Sequence, residues 1–200
     1  MGGDQGWAVW VVGLPGSGKS ALARGLVRAL REQGREVVHL QMDARRKDYF
    51  PNPDYSARER EQAYRMFAEE AAGLVAQGHG VIMDGAAYRV AFRQYARGLI
   101  ERFAEVHVKC TLETAMAREG GRPEGLVMAG LYAGALTRKA TGREVPGLGE
   151  VIGVDVPFED NPRADFSITN DAIPKQETRR RTLAWLNAWL DGADGLKNTE

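Results

Sequence analysis

The chain has 200 residues, 44% hydrophobic and 27% charged, with 27 basic and 27 acidic side chains balancing to a formal net charge of zero. That balance excludes a polyanion-binding surface built on bulk charge, so no nucleic-acid partner is expected. No apolar run reaches the roughly 18 residues of a membrane span, so no membrane partner is expected either.

Residues 7–14 form a continuous apolar run, as in a strand buried on both faces. Residues 19–33 read as a helix, with Leu22, Leu26 and Leu30 four apart and Gly34 ending it. Residues 36–42 are the second strand, and 43–54, polar and carrying two prolines, read as a loop. Ser56 caps a long helix to Gln77, and Gly78 closes it. The third strand is 80–84, a helix covers 90–103, and the fourth strand is 105–111. A helix at 112–119 breaks at 120–125, and a helical stretch at 126–140 follows. Residues 141–163 are rich in Gly and Pro and long enough for a lid. The last strand is 164–170, and a terminal helix at 178–190 carries Leu183, Leu186, Trp189 and Leu190 as one apolar stripe. The tail from 191 is expected to fray. Alternating strands and helices predict one α/β domain over 1–200, a parallel sheet with helices on both faces.

The single cysteine, Cys110, cannot close an internal disulfide and fits a reducing compartment. The opening residues are Gly-rich and polar, unlike a signal peptide. Gly6 stands where a myristoylation site needs Ser or Thr. A cytoplasmic protein is expected.

Gly13, Leu14, Pro15, Gly16, Ser17, Gly18, Lys19 and Ser20 match G-x-x-x-x-G-K-[ST] in full, between an apolar strand and an amphipathic helix. Glycines let the backbone wrap phosphate oxygens, and the helix N-terminus adds partial positive charge. Lys19 is expected on the β- and γ-phosphates and Ser20 on Mg²⁺. ATP and Mg²⁺ are thus the expected cofactors. A switch GTPase would carry D-x-x-G and N-K-x-D, and neither occurs. The size and single domain favour a P-loop kinase of the nucleoside-monophosphate-kinase kind.

Asp43 and Asp84 lie at the ends of the second and third strands, where parallel sheets bind ligands. Either could hold Mg²⁺ through water or orient an acceptor hydroxyl. Arg45, Arg46, Arg58, Arg60, Arg65 and Arg89 fall where an anionic acceptor would bind, although at least half of them read better as a solvated helix face. Arg118 and Lys139 flank the lid, as phosphate-facing cations or plain surface. Tyr55 is the aromatic best placed to stack on a planar base. Phe67 reads as core and Phe50 lies nearby. His39, His79 and His107 lack metal-ligand spacing, and Cys110 reads as a small core residue.

The chain resembles the adenylyl-sulfate (APS) kinase family over nearly its whole length. Trp10-Val11-Val12-Gly13-Leu14 and the loop after it resemble that family's W-x-T-G-L-S-G-A-G-K-[ST]. Leu40-Gln41-Met42-Asp43-Ala44-Arg45-Arg46 lies where it has L-D-G-D-N-V-R. Tyr55-Ser56 and Arg60 resemble its G-F-S and D-R, and Tyr88-Arg89 the end of F-I-S-P-[YF]-R. Phe103 to Val108 resembles F-x-E-V-[FY]-V, Arg138-Lys139-Ala140 resembles K-K-A, and Gly153-Val154-Asp155-Val156-Pro157-Phe158-Glu159 resembles G-I-D-D-P-Y-E. The departures lie mainly in the acceptor half, at Gln41, Ala44, Ala63 and the shortened stretch 84–87, with two insertions in the lid region around 120–135 and 141–150.

The resemblance implies transfer of the ATP γ-phosphoryl group to the ribose 3′-hydroxyl of APS, giving PAPS in sulfate activation. It places Arg118 on the nucleotide, and Arg46, Tyr55, Arg60, Arg89 and Lys139 around the acceptor, with Tyr55 on its adenine. A homodimer is compatible with it. Two other readings stay open at this level: a related kinase acting on another small anionic metabolite, and a nucleotide-binding regulatory module without activity.

Overall fold

The computed structural model describes residues 5–53, 56–121 and 130–192. Strands β1 (Trp7–Val12), β2 (Val37–Gln41), β3 (Gly80–Asp84), β4 (Phe103–Lys109) and β5 (Phe166–Thr169) form one parallel sheet in the order β2-β3-β1-β4-β5. The chain leaves β1 to build one side of the sheet and then crosses to build the other. The crevice where ligands bind parallel sheets therefore falls at the C-terminal end of β1, between β3 and β4.

All six residues of β1 are buried because both faces of the sheet are covered. Val9 and Val11 pack with Leu22, Leu26 and Leu30 of α1 (Lys19–Glu32) and with Trp185, Leu186 and Leu190 of α7 (Lys175–Leu190). Ala8, Trp10 and Val12 face the opposite layer, where α3 (Ala57–Ala76) and α4 (Val90–Leu99) contribute Tyr64, Phe67 and Phe92. The Trp10 ring sits 5.6 Å from that of Phe67 and 5.9 Å from that of Tyr64. Ser56 caps α3 as expected, its hydroxyl accepting from Glu59 N at 3.2 Å.

Several boundaries differ from the sequence reading. Residues 43–54 are not simply a loop: α2 (Met42–Tyr49) starts directly after β2 and buries Met42 and Arg46. Asp43 is therefore an exposed residue in the first turn of a helix, not the end of a strand. The helix expected over 90–103 stops at Leu99, and Phe103 already belongs to β4. Helix α5 (Leu112–Gly120) is capped by the Thr111 hydroxyl, and α6 is Leu131–Thr141, the start of the stretch expected from 126 lying outside the described residues. In α7 the buried stripe is Thr178, Thr182, Trp185, Leu186 and Leu190, with Leu183 and Trp189 only partly covered.

Arg93 and Glu105 form an ion pair at 2.6 Å, each 1% exposed. Asn161 donates a second bond to Glu105 at 2.6 Å, and Arg93 also donates to the Glu159 carbonyl. Breaking such a pair leaves an uncompensated buried charge. Arg93→Met should lower the unfolding free energy by about 3–5 kcal/mol. The urea midpoint measures this, and a shift worth under about 1 kcal/mol would show that the pair is not a structural anchor.

Candidate active site

The phosphate loop joins β1 to α1, so the helix N-terminus points into the crevice. Gly16 has φ 84, and a Cβ there would lie 2.2 Å from the Ala115 carbonyl oxygen; only glycine lets the loop press so close to α5. Gly18, with φ 92, is the N-cap of α1. Ser17 is wholly buried, and its Oγ has no hydrogen-bond partner among the described residues. An unpartnered polar atom inside a glycine-lined cradle suits a phosphate group, so the loop fits the triphosphate that its sequence implies.

Ser20 donates from Oγ to Asp84 Oδ1 at 3.0 Å. Asp84 ends β3 and is 6% exposed. Burial pushes its carboxyl above the usual range, while the Lys19 ammonium, the Ser20 bond and His39 pull it back. His39 Nε2 lies 4.0 Å from Asp84 Oδ2, and burial depresses that imidazole, so it is neutral near pH 7. Ser20, Asp84 and Lys19 thus meet at the mouth of the loop, an arrangement suited to a divalent cation carried by a phosphate chain. Asp43 is near enough to raise Asp84 further.

Arg118 of α5 donates to Asn170 Oδ1 at 3.0 Å and to the Asn170 carbonyl at 2.8 Å. Its guanidinium borders a cleft of about 200 Å³ beside Gly18, with Leu22, Asn170, Ile173 and Gln176 on the other walls. That puts Arg118 beside the last glycine of the phosphate loop. Lys139 is exposed in the last turn of α6.

The expected acceptor residues divide. Arg46 is buried and pairs with Glu59 at 2.9 Å, so part of its fork is already engaged within the protein. Arg60 is buried too; it donates from Nη2 to the Glu150 carbonyl, while Nη1 has no partner among the described residues. The Arg60 and Arg89 guanidinium carbons lie 6.0 and 5.5 Å from the Tyr88 ring centre, so the two share one wall. On the same wall Ala87 holds a left-handed φ of 43, and its N–H donates to the Tyr64 hydroxyl at 3.0 Å. Tyr55 lies outside the described residues. Arg45 pairs with Asp48 and Glu70, Arg65 covers Tyr95, and Arg58 is exposed. Phe67 is core, and Phe50 packs partly buried against the same cluster.

The segment expected as a lid is tethered from Leu148 to Glu159. Arg138 bonds Asp155 at 2.6 Å and the carbonyls of Leu148 and Gly149, and Asp155 also accepts from Val151 N. Glu159 accepts from Val90 N at 2.7 Å, and Phe158 stacks on His107 at 4.9 Å. Burial lowers the His107 pKa to about 4, so this stack holds a neutral ring. Two residues that the sequence did not single out also touch the loop: Tyr132, whose hydroxyl donates to the Pro15 carbonyl, and Asn170.

The chain is similar to known proteins over most of its length. The family model described as adenylylsulphate kinase matches residues 5–169. A probable adenylyl-sulfate kinase of Archaeoglobus fulgidus is 32% identical over 165 residues, covering 82% of this chain and 96% of the relative. The adenylyl-sulfate kinase of Paraburkholderia xenovorans is 30% identical, covering 93% and 96%. Among solved structures, the Mycobacterium tuberculosis APS kinase in complex with AMPPNP and APS superposes with a TM-score of 0.76 at 26% identity, covering 92% of this chain and 98% of that one.

Proposed function

The chain belongs to the adenylyl-sulfate kinase family, and on that premise we propose that it transfers the γ-phosphoryl group of ATP to the ribose 3′-hydroxyl of APS, giving PAPS and ADP in sulfate assimilation. The observation that carries this reading is the buried Asp84 carboxylate bonded to Ser20 at the mouth of the phosphate loop, beside Lys19. Mg²⁺, when bound with the nucleotide, draws charge off the phosphate oxygens. The protein's own groups do the rest. The loop N–H groups and Lys19 hold the phosphate chain, and Ser20 with Asp84 orients the metal side. Asp43, in the first turn of α2, takes the hydroxyl proton or aims that hydroxyl at phosphorus. The O–P bond forms as the bond to the bridging oxygen breaks, and the electron pair leaves with ADP.

Arg60, Arg89 and Arg46 supply positive charge for the acceptor's sulfate and phosphate oxygens, and Tyr55 stacks on its adenine. Arg60 Nη1, which has no partner among the described residues, supports that assignment. The acceptor should bind with ADP and Mg²⁺ present, and Tyr55→Ala should weaken it by about 1–3 kcal/mol while leaving ADP affinity unchanged. Titration calorimetry measures both. Unaltered APS affinity in the variant would remove Tyr55 from the site, and no APS binding at millimolar concentration would point to a different anionic acceptor.

No helix among the described residues is long and apolar enough to cross a membrane. Cytoplasmic location and a homodimer belong to the same proposal. Light scattering reads the second.

A further inference from the structure

A loop that turns its N–H groups toward an anion must turn carbonyls away from it, and those carbonyls need partners of their own. Two side chains from distant parts of the chain supply them here. The Tyr132 hydroxyl donates to the Pro15 carbonyl at 2.8 Å, and Asn170 Nδ2 donates to the Ser17 carbonyl at 2.7 Å.

Asn170 does more than support the loop. Its Oδ1 accepts from Arg118 Nη1 at 3.0 Å, and its own carbonyl accepts from Arg118 Nη2 at 2.8 Å. Its N–H donates to the Lys109 carbonyl at 3.0 Å, which fixes it to the end of β4. It is 8% exposed, and it lines the donor-side cleft together with Gly18 and Arg118. These partners set the amide's orientation, because only a guanidinium-facing oxygen and a carbonyl-facing nitrogen satisfy both ends. The Ser17 carbonyl and the Gly18 N–H belong to one trans peptide and point in opposite directions. Holding that carbonyl outward therefore holds the Gly18 N–H the other way.

We propose that Asn170 is the positioning residue for the donor nucleotide: one carboxamide locks the Ser17–Gly18 peptide with its N–H toward the phosphates and aims the Arg118 guanidinium along the cleft. Serine or threonine is too short to span both partners. Aspartate keeps the acceptor for Arg118 but sets a carboxylate against the Ser17 carbonyl. Leucine removes both bonds. The inference rests on the donor-site reading of the loop and adds to it a residue from the opposite end of the sequence.

The test is calorimetric titration of wild type, Asn170→Leu and Asn170→Asp with ADP and Mg²⁺, which needs no acceptor. KM for ATP and for APS and the melting temperature are measured alongside. ADP affinity and KM for ATP should worsen about tenfold or more in both variants, the scale of a lost hydrogen bond to a charged group. KM for APS should stay constant, and the Asp variant should melt close to wild type. Wild-type ADP affinity in either folded variant would overturn the proposal. So would parallel losses in both KM values with early melting, which mark a merely structural role. Failure of the wild type itself to bind ADP would instead overturn the donor-site reading.

Discussion

Lys19→Ala should reduce kcat by about 10²–10⁴-fold while the protein keeps its fold, because a charge aimed at the transferring phosphoryl group contributes most in the transition state. Lys19 begins α1, where its backbone is held by the helix and its side chain is only partly buried. Removing the ammonium takes away no core contact, so stability should change little. It also takes away one of the groups that hold the Asp84 carboxyl down, so that carboxyl should become easier to protonate. Steady-state turnover beside a melting curve separates the effects. Near-wild-type kcat would mean that the loop does not carry the reacting phosphate.

Asp84→Asn should give the second large loss, about 10²–10³-fold in kcat/KM, together with a raised Mg²⁺ requirement. The asparagine oxygen can still accept from Ser20, so the geometry at 3.0 Å survives while the charge does not. The sign of the stability change distinguishes this role from a structural one. Burial pushes the Asp84 carboxyl up, so the charged form is held at a cost in the ligand-free protein. The neutral variant should therefore be as stable as wild type or more so, although it is far less active. A variant that lost stability and activity together would instead make Asp84 an ordinary structural acceptor.

The strand–loop–helix unit around Lys19 is legible from sequence because everything that defines it is local: an apolar run, glycines at the turning points and leucines four apart. The third strand and its terminal Asp84 are legible for the same reason. Helix α2 is not. Its residues are mostly polar, prolines follow at 51 and 53, and what holds it is the burial of Met42 and Arg46 against distant elements. Glycine and proline content marks 141–163 as a lid but says nothing about tethers. The Arg138–Asp155 bond and the Glu159 contact with α4 appear only once the chain is folded. Asn170 is the hardest case, since its partner carbonyl lies 153 residues away and no local pattern marks it. The arginine cluster falls between these extremes. Sequence marks the group only as arginine-rich, and folding shows that Arg45 and Arg46 bond to carboxylates while Arg60 Nη1 has no partner among the described residues.

On this reading the protein phosphorylates the 3′-hydroxyl of APS from ATP. Incubation of the purified protein with ATP, Mg²⁺ and APS, followed by mass spectrometry and phosphorus NMR of the products, tests it most directly. ADP release should depend on APS and be matched one for one by a product carrying a new phosphomonoester on the 3′ position of the ribose. ADP release that is unaffected by APS, or a phosphorylated product in which that position is unchanged, would contradict it.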